Sequence, residues 1–414
     1  MMHTVGSLRR TSCIMVTRRG LRSSSKSSKT PIVETLERRI RVTGPITVAD
    51  YMRECLTHPQ HGYYMKKDVF GSKGDFITSP EISQMFGELL GVWVVAEWQA
   101  LASDGHLHLI EFGPGRGTLA ADMLRTISQF DFMKEKISLH LLDVSPKMIA
   151  LQHLLLCGRE LPPNSRTESP EATRSIFGDI DVSWHRSLGE IEMKGKCCVI
   201  AHEFLDALPI HKFQKSKEGE FHEVLIDNAE DYDPHHFREV LTPSPNANCK
   251  MFANPRDERE HVEVSPLSGI IVQEIANTIN KYGGFALLVD YGHDGTKEDT
   301  FRSFKSHKIN NPLQDPGEAD LTADVDFAFL RHCLRPLNVV TNGPISQQVF
   351  LHNMGIRVRL RALLSQAKTE TQTKDILSSY RMLCSPDEMG DRFKFFSIHA
   401  KGHSGLPAGF TQPS

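Results

Sequence analysis

The stretch IEFGPGRGTLAADMLR, residues 110–125, sets a carboxylate, Glu111, two residues ahead of the first of three glycines, Gly113, Gly115 and Gly117. An apolar run before the glycines and helical spacing after them read as strand, turn and helix. That arrangement leaves free backbone N–H groups and the positive end of a helix dipole at the sheet edge, ready for an anionic group. A dinucleotide fingerprint G-x-G-x-x-G counted from Gly113 requires glycine at 118, where the chain has Thr118, and no G-K-[ST] triplet follows as a phosphate loop would need. Glu111 would repel a pyrophosphate and attract a sulfonium or an ammonium group. S-adenosylmethionine carries both cations, and a carboxylate that suits the helix N-terminus. A second apolar run, LHLLDVSP, ends in Asp143, where an acid can accept the ribose hydroxyls of an adenosine or cap a helix beginning at Pro146. These residues predict an S-adenosylmethionine site built from Glu111, Gly113, Gly115, Gly117 and Asp143.

The stretch AHEFLDALP follows another apolar run, KCCVIA, and brings Glu203 and Asp206 to the same sheet edge, where such folds place their substrate groups. If it opens a helical turn, the two carboxylates share a face. His202 reads either as a proton acceptor or as a hydrogen-bonded structural residue. Asp290, Tyr291 and His293 of VDYGHDG, with Asp320 and Asp324 of DLTADVDF, read either as the lining of a substrate groove or as turn and cap residues. No His, Cys and Asp grouping has metal-ligand spacing, and H-E-F-L-D lacks the second histidine of H-E-x-x-H.

The elements that must position these groups follow from periodicity. SPEISQMFGELLGVWVVAEW reads as one packed helix with Ser79 as N-cap and Pro80 at its first position. LHLIEF (107–112), ISLHLLDV (137–144), KCCVIA (196–201) and GFALLVDYG (284–292) read as parallel strands buried on both faces, which makes a doubly wound, Rossmann-like α/β sheet. HKFQKS and EFHEVLID around KEGE read as a hairpin within an insertion over about 211–265. The expected divisions are a helical region at 34–103, the cofactor-binding core at 104–300, a C-terminal helical part at 301–399 and a disordered tail at 400–414.

The 414 residues are 39% hydrophobic and 24% charged with a formal net charge of −3, which argues against a nucleic-acid partner held by phosphate neutralisation. Eight cysteines without a CxxC pair read as reduced, packed thiols, and no apolar run reaches the length of a membrane span. Before Glu34 there is no acidic residue, while Arg9, Arg10, Arg18, Arg19, Arg22, Lys26 and Lys29 lie among seven serines. An Arg-rich, Ser-rich, acid-free leader over 1–33 fits a mitochondrial transit peptide.

The motifs GPITVADYM, HPQHGYY, GDFITSPEISQMFGELLG, EFGPGRGTLAADMLR, AHEFLDALPIHKFQ, VDYGHDG, DLTADVDF, NMGI and MGDRFKFF occur in an order that resembles the MidA-like family of class I methyltransferases, over about residues 40–396. The resemblance implies a seven-stranded methyltransferase sheet with an added N-terminal helical region and C-terminal helices. It also implies dimethylation of an arginine on a matrix-side subunit of mitochondrial complex I during early assembly, and it carries the cofactor roles onto Glu111, Gly113, Gly115, Gly117 and Asp143. Many bacterial members have Asn where this chain has His202. For an arginine acceptor, Glu203 and Asp206 are the expected catalytic pair: they can grip the planar guanidinium and offset charge as its proton leaves. Two other readings stand beside this one, a methyltransferase fold that only scaffolds assembly and a nicotinamide-dependent oxidoreductase, against which Thr118 speaks.

Overall fold

A computed structural model describes residues 29–66, 78–101, 105–161, 172–230, 235–306, 308–403 and 405–410. Of the basic leader, residues 1–28 lie outside the described residues. By Pro31 the chain is helical: Pro31–Thr43 starts with Pro at its first position and with the Thr30 hydroxyl accepting the Val33 N–H.

The apolar runs form Leu107–Phe112, Ile137–Leu142, Lys196–His202 and Gly284–His293. With Asp181–His185 they make a parallel sheet in the order 181–185, 137–142, 107–112, 196–202, 284–293. Every residue of 107–112 and 137–142 is buried, as a layer covered on both faces demands. Phe393–Ala400 pairs antiparallel with 284–293, and Val339–Ser346 pairs antiparallel with it in turn, extending the sheet beyond the parallel core. From 107–112 the chain winds towards one edge, then returns to lay 196–202 on the opposite side of the same strand. The loops leaving the carboxyl ends of these two neighbours therefore diverge, and a crevice opens between them.

Helices Gln84–Ala100 and Thr118–Ile127 cover one face through Phe86, Leu90, Trp93 and Leu124, and Pro266–Tyr282 and Phe327–Leu334 cover the other through Val272, Ile275 and Phe327. Phe285 is fully buried, with Trp93 edge-on at 5.3 Å and His399 stacked at 6.0 Å.

Several expectations need correction. The helix read from Ser79 is two helices, Ser79–Ile82 and Gln84–Ala100, because Ser83 is extended (φ −161°) and its hydroxyl caps the Met85 N–H; the N-cap of the first is Thr78. The hairpin is present as His211–Lys215 against Phe221–Asn228, but it belongs to a separate five-stranded sheet with Ile46–Thr47, Phe237–Leu241 and His261–Val264. Helices Pro31–Thr43 and Val48–Thr57 pack on that sheet through Ile32, Leu36, Tyr51 and Met52. The stretch expected as C-terminal helices also holds the strands 339–346 and 393–400 and a small sheet of Arg302–Lys305, Lys308–Asn310 and Asp320–Thr322. Of the tail expected as disordered over 400–414, residue 404 and residues 411–414 lie outside the described residues, and the stretch 405–410 is packed: Phe410 sits edge-on to Phe350 at 5.7 Å, while the Ala408 N–H donates to Glu97 Oε1 at 2.7 Å.

Because Phe285 joins both the central strand and the C-terminal strand to the helical layer, Phe285→Ala should cost about 3–5 kcal/mol in urea unfolding. A loss below about 1 kcal/mol would mean that this contact is not part of the core.

Candidate active site

The carboxyl ends of 107–112 and 196–202 carry the two motifs that the sequence singled out. Gly113, Gly115 and Gly117 all have positive φ, at 60°, 52° and 85°, and the turn they form delivers Thr118 as the first residue of its helix. At Gly113 a second requirement acts, since a Cβ there would lie 2.8 Å from the Phe204 ring, so a side chain is excluded by both backbone and space.

Glu111 points under this turn. It is 3% exposed, its Oε2 has no hydrogen-bond partner among the described residues, and burial beside Asp143 pushes its pKa up to about 8. An orphaned, buried carboxylate oxygen is a demand for a cation.

Asp143 follows 137–142. Its Oδ1 accepts the Ser145 N–H at 2.9 Å, the local turn that leads into helix Pro146–Cys157. Its Oδ2 accepts Gln152 Nε2 at 2.7 Å, and the same nitrogen donates to the Gly115 carbonyl at 2.7 Å. Trp184 Nε1 donates to Gln152 Oε1 at 3.0 Å, so all the polar atoms of this buried amide are used. Gln152 thus fixes the glycine turn relative to the acid. Sequence reasoning missed it: only its position on the inner face of the helix after Asp143, one turn beyond Met148, could have suggested it.

Glu203 leaves 196–202 in the left-handed region (φ 49°), so no helical turn starts there and the shared face expected for Glu203 and Asp206 is replaced by a tight non-helical turn. Three N–H groups of that turn, on Phe204, Leu205 and Asp206, converge on Asp290 Oδ2 at 3.2, 2.8 and 3.3 Å. Glu203 Oε1 accepts the Ser79 N–H at 3.2 Å, and burial raises its pKa to about 8. Asp206 accepts the Thr322 hydroxyl at 2.6 Å and is likewise raised by burial. His202 packs against Phe86 at 5.0 Å and Phe393 at 6.3 Å, its Nε2 lies 3.3 Å from Glu203 Oε1, and burial lowers its pKa to about 3.

Both motifs open onto one cavity of about 260 Å³. Gly113, Gly115, Asp143, Val144 and Met148 line it together with Glu203, Asp206, Tyr291, Asp320 and Thr322. Tyr64, from the N-terminal region, closes it by donating its hydroxyl to Asp320 at 2.7 Å. Of the remaining sequence candidates, His293 accepts the Thr296 N–H in a turn and Asp324 pairs with Arg302 and Lys297, both away from the cavity lining.

The sheet order, the long antiparallel strand next to the parallel core, and a glycine turn flanked by an orphaned acid define a class I methyltransferase. Comparisons with known proteins agree. A family described as "Putative S-adenosyl-L-methionine-dependent methyltransferase" matches residues 89–345. Rattus norvegicus mitochondrial protein arginine methyltransferase NDUFAF7 is 46% identical over 385 residues, 92% of this chain and 87% of that one; the Homo sapiens protein of the same name is 46% identical over 375 residues, 89% and 83%. A Burkholderia thailandensis COG1565 superfamily member solved with S-adenosyl-homocysteine superposes with a TM-score of 0.74 at 24% identity, covering 94% of this chain and 98% of its own, which speaks for the fold. The chain belongs to this S-adenosyl-L-methionine-dependent methyltransferase family, and the nicotinamide reading falls away.

The residues fit that cofactor: the glycine turn would receive its carboxylate end, Glu111, whose Oε2 has no hydrogen-bond partner among the described residues, its ammonium, and Asp143 its ribose hydroxyls. Replacing Gln152 by Leu strands the Gly115 carbonyl, Asp143 and the Trp184 N–H together, and should weaken S-adenosylmethionine binding by about 10-fold or more, the scale of a hydrogen bond to a charged group. Calorimetric titration measures this; unchanged affinity would show that the amide does not organise the site.

Proposed function

We propose that this chain is a protein arginine N-methyltransferase of the mitochondrial matrix that dimethylates a matrix-side complex I subunit and so serves early complex I assembly. The observation that carries the arginine reading is the character of the cavity lining: Asp143, Glu203, Asp206 and Asp320, with no Lys, Arg or His among the described lining residues. A pocket of that sign excludes anions and draws in a cation. The names of the relatives, arginine methyltransferases and mitochondrial, support both the acceptor and the compartment, and the acid-free leader supports import.

A guanidinium is protonated with a pKa above 12 and presents its N–H donors in a planar fork. Glu203 and Asp206, on one turn held by Asp290, accept that fork through charge-assisted hydrogen bonds and aim one nitrogen towards the cofactor end of the cavity. S-adenosylmethionine supplies the transferable methyl group there. Glu203 Oε1 is occupied by the Ser79 N–H, which leaves Oε2 to receive the proton given up by the alkylated nitrogen. Burial serves this role directly, because a carboxyl raised to about 8 is a better base than one near 4.

Glu203→Gln should leave S-adenosylmethionine affinity nearly unchanged and lower transfer to an arginine peptide by on the order of 100-fold or more. In the parent, kcat/KM for the peptide at saturating cofactor should climb with pH and level off above about 8, because the essential carboxylate is deprotonated only there in the free pocket. Parental rates in Glu203→Gln, or a flat profile from pH 6 to 9, would remove Glu203 from the chemistry. Cofactor binding with no label on any arginine of complex I subunits would favour the scaffold reading.

The leader gives a separate test. Residues 1–33 fused to a fluorescent protein should reach mitochondria, and changing Arg9, Arg10, Arg18 and Arg19 to Glu should leave the fusion in the cytosol. Import of the Glu variant would show that the positive charge is not what is read.

A further inference from the structure

Across the sheet from the cavity, Glu97, His399 and His403 meet. His399 pairs with Phe285 at the amino end of 284–293, whereas the cavity lies at the carboxyl end, where Tyr291 pairs with Phe393. Glu97 comes from the last turn of helix 84–100, His399 from the end of 393–400, and His403 from the turn that follows it.

One ligand atom from each side chain lies within 4.8 Å of the other two. Glu97 Oε2 is 3.0 Å from His403 Nε2 and 3.8 Å from His399 Nδ1. Around a tetrahedral zinc with bonds of about 2.0–2.1 Å, donor atoms stand about 3.3 Å apart, between these two separations.

The hydrogen-bond accounting points the same way. Glu97 is 2% exposed and His399 0%, yet Glu97 Oε2, both ring nitrogens of His399 and His403 Nε2 have no hydrogen-bond partner among the described residues. Buried polar atoms are almost always satisfied. Here Glu97 Oε2 and His403 Nε2 stand at ion-pair distance while both ring nitrogens of His399 are left over, an arrangement that a shared cation satisfies in full. The rest of the cluster is already satisfied: Glu97 Oε1 accepts the Ala408 N–H, and Trp93 Nε1 donates to the Ala408 carbonyl at 3.1 Å.

We propose that Glu97, His399 and His403 bind a divalent metal ion of the zinc class, which fastens the C-terminal segment to helix 84–100. Two imidazoles and one carboxylate make a borderline donor set suited to zinc, with one coordination position left for water. The position on the far edge of the sheet makes the ion structural, outside the methyl-transfer chemistry.

The full chain, stripped with a chelator and dialysed, should take up one equivalent of zinc in a calorimetric titration and gain thermal stability with it by mass action. His403→Ala should bind zinc at least roughly 10–100-fold more weakly, since even outer-sphere changes cost that much. Glu97→Gln, which keeps an acceptor for Ala408, should do the same without loosening the fold. Both variants should retain S-adenosylmethionine affinity in the absence of zinc. No stoichiometric uptake by the parent, or equal uptake by the parent and both variants, would overturn the proposal.

Discussion

The Asp290 carboxylate accepts three successive backbone N–H groups of the turn after Lys196–His202, and its other oxygen accepts the Tyr291 N–H at 2.9 Å. A strand that stops short of its neighbour leaves such donors without a ladder partner, and a buried N–H left unpaired costs about as much as a lost hydrogen bond. At 1% exposure, Asp290 serves as the missing strand for one turn of chain. The left-handed Glu203 is tolerated because that anchor follows it and the Val289 carbonyl accepts the Glu203 N–H at 2.9 Å. Glu203 and Asp206 therefore stand on the rigid edge of the sheet rather than on a free loop.

The same rigidity concentrates negative charge. Glu111, Asp143, Glu203 and Asp206 are all raised by burial, and in none does a neighbouring cation dominate. A folded-state pKa above the unfolded value means that the folded chain holds its protons more tightly, so these groups disfavour folding progressively as pH climbs above the ordinary carboxylate range, for Glu111 and Glu203 until about pH 8. The pocket is thus least comfortable where a carboxylate is most useful. A cation would relieve it: under the proposed function, an ammonium beside Glu111 or a guanidinium between Glu203 and Asp206 would restore the ionised form that burial opposes. Ligand selection and electrostatic relief are one interaction seen from two sides.

What could be read in the sequence was local. Strand, glycine turn and helix follow from apolar runs, spacing and Thr118, and Asp143, Glu203 and Asp206 follow because residues just past a parallel strand face the crevice. What could not be read depends on distant chain. Gln152 looks like any polar residue in a helix until the Gly115 carbonyl and Trp184 are known to lie beside it. Ser79 and Tyr64 reach the site from the N-terminal region, and Asp290, legible only as a groove or turn residue, proves to be the anchor of a turn 85 residues earlier. The break at Ser83 was invisible because a serine inside an amphipathic run fits both a helix interior and a cap. Glu97, His399 and His403 come together only when the last strand folds back antiparallel beside the core, a pairing that no spacing rule encodes.

A doubly wound sheet alone leaves its crevice open to water on the side away from the helices. Here the N-terminal helices and the small sheet at 302–322 form the missing wall, tied by polar contacts whose partners are far apart in the chain: Thr30 Oγ1 donates to the Pro316 carbonyl at 2.9 Å, Tyr51 to the Pro312 carbonyl at 2.8 Å and Tyr64 to Asp320 at 2.7 Å. Ser145 completes the tie by donating to the Tyr64 carbonyl at 3.3 Å, from the turn that Asp143 itself organises. The wall therefore contacts both ends of the cavity. By displacing water it lowers the local dielectric, which both raises the carboxylates and strengthens their attraction for a bound cation. Added elements that could look peripheral to the methyltransferase sheet are what enclose the acids at its edge in a cavity.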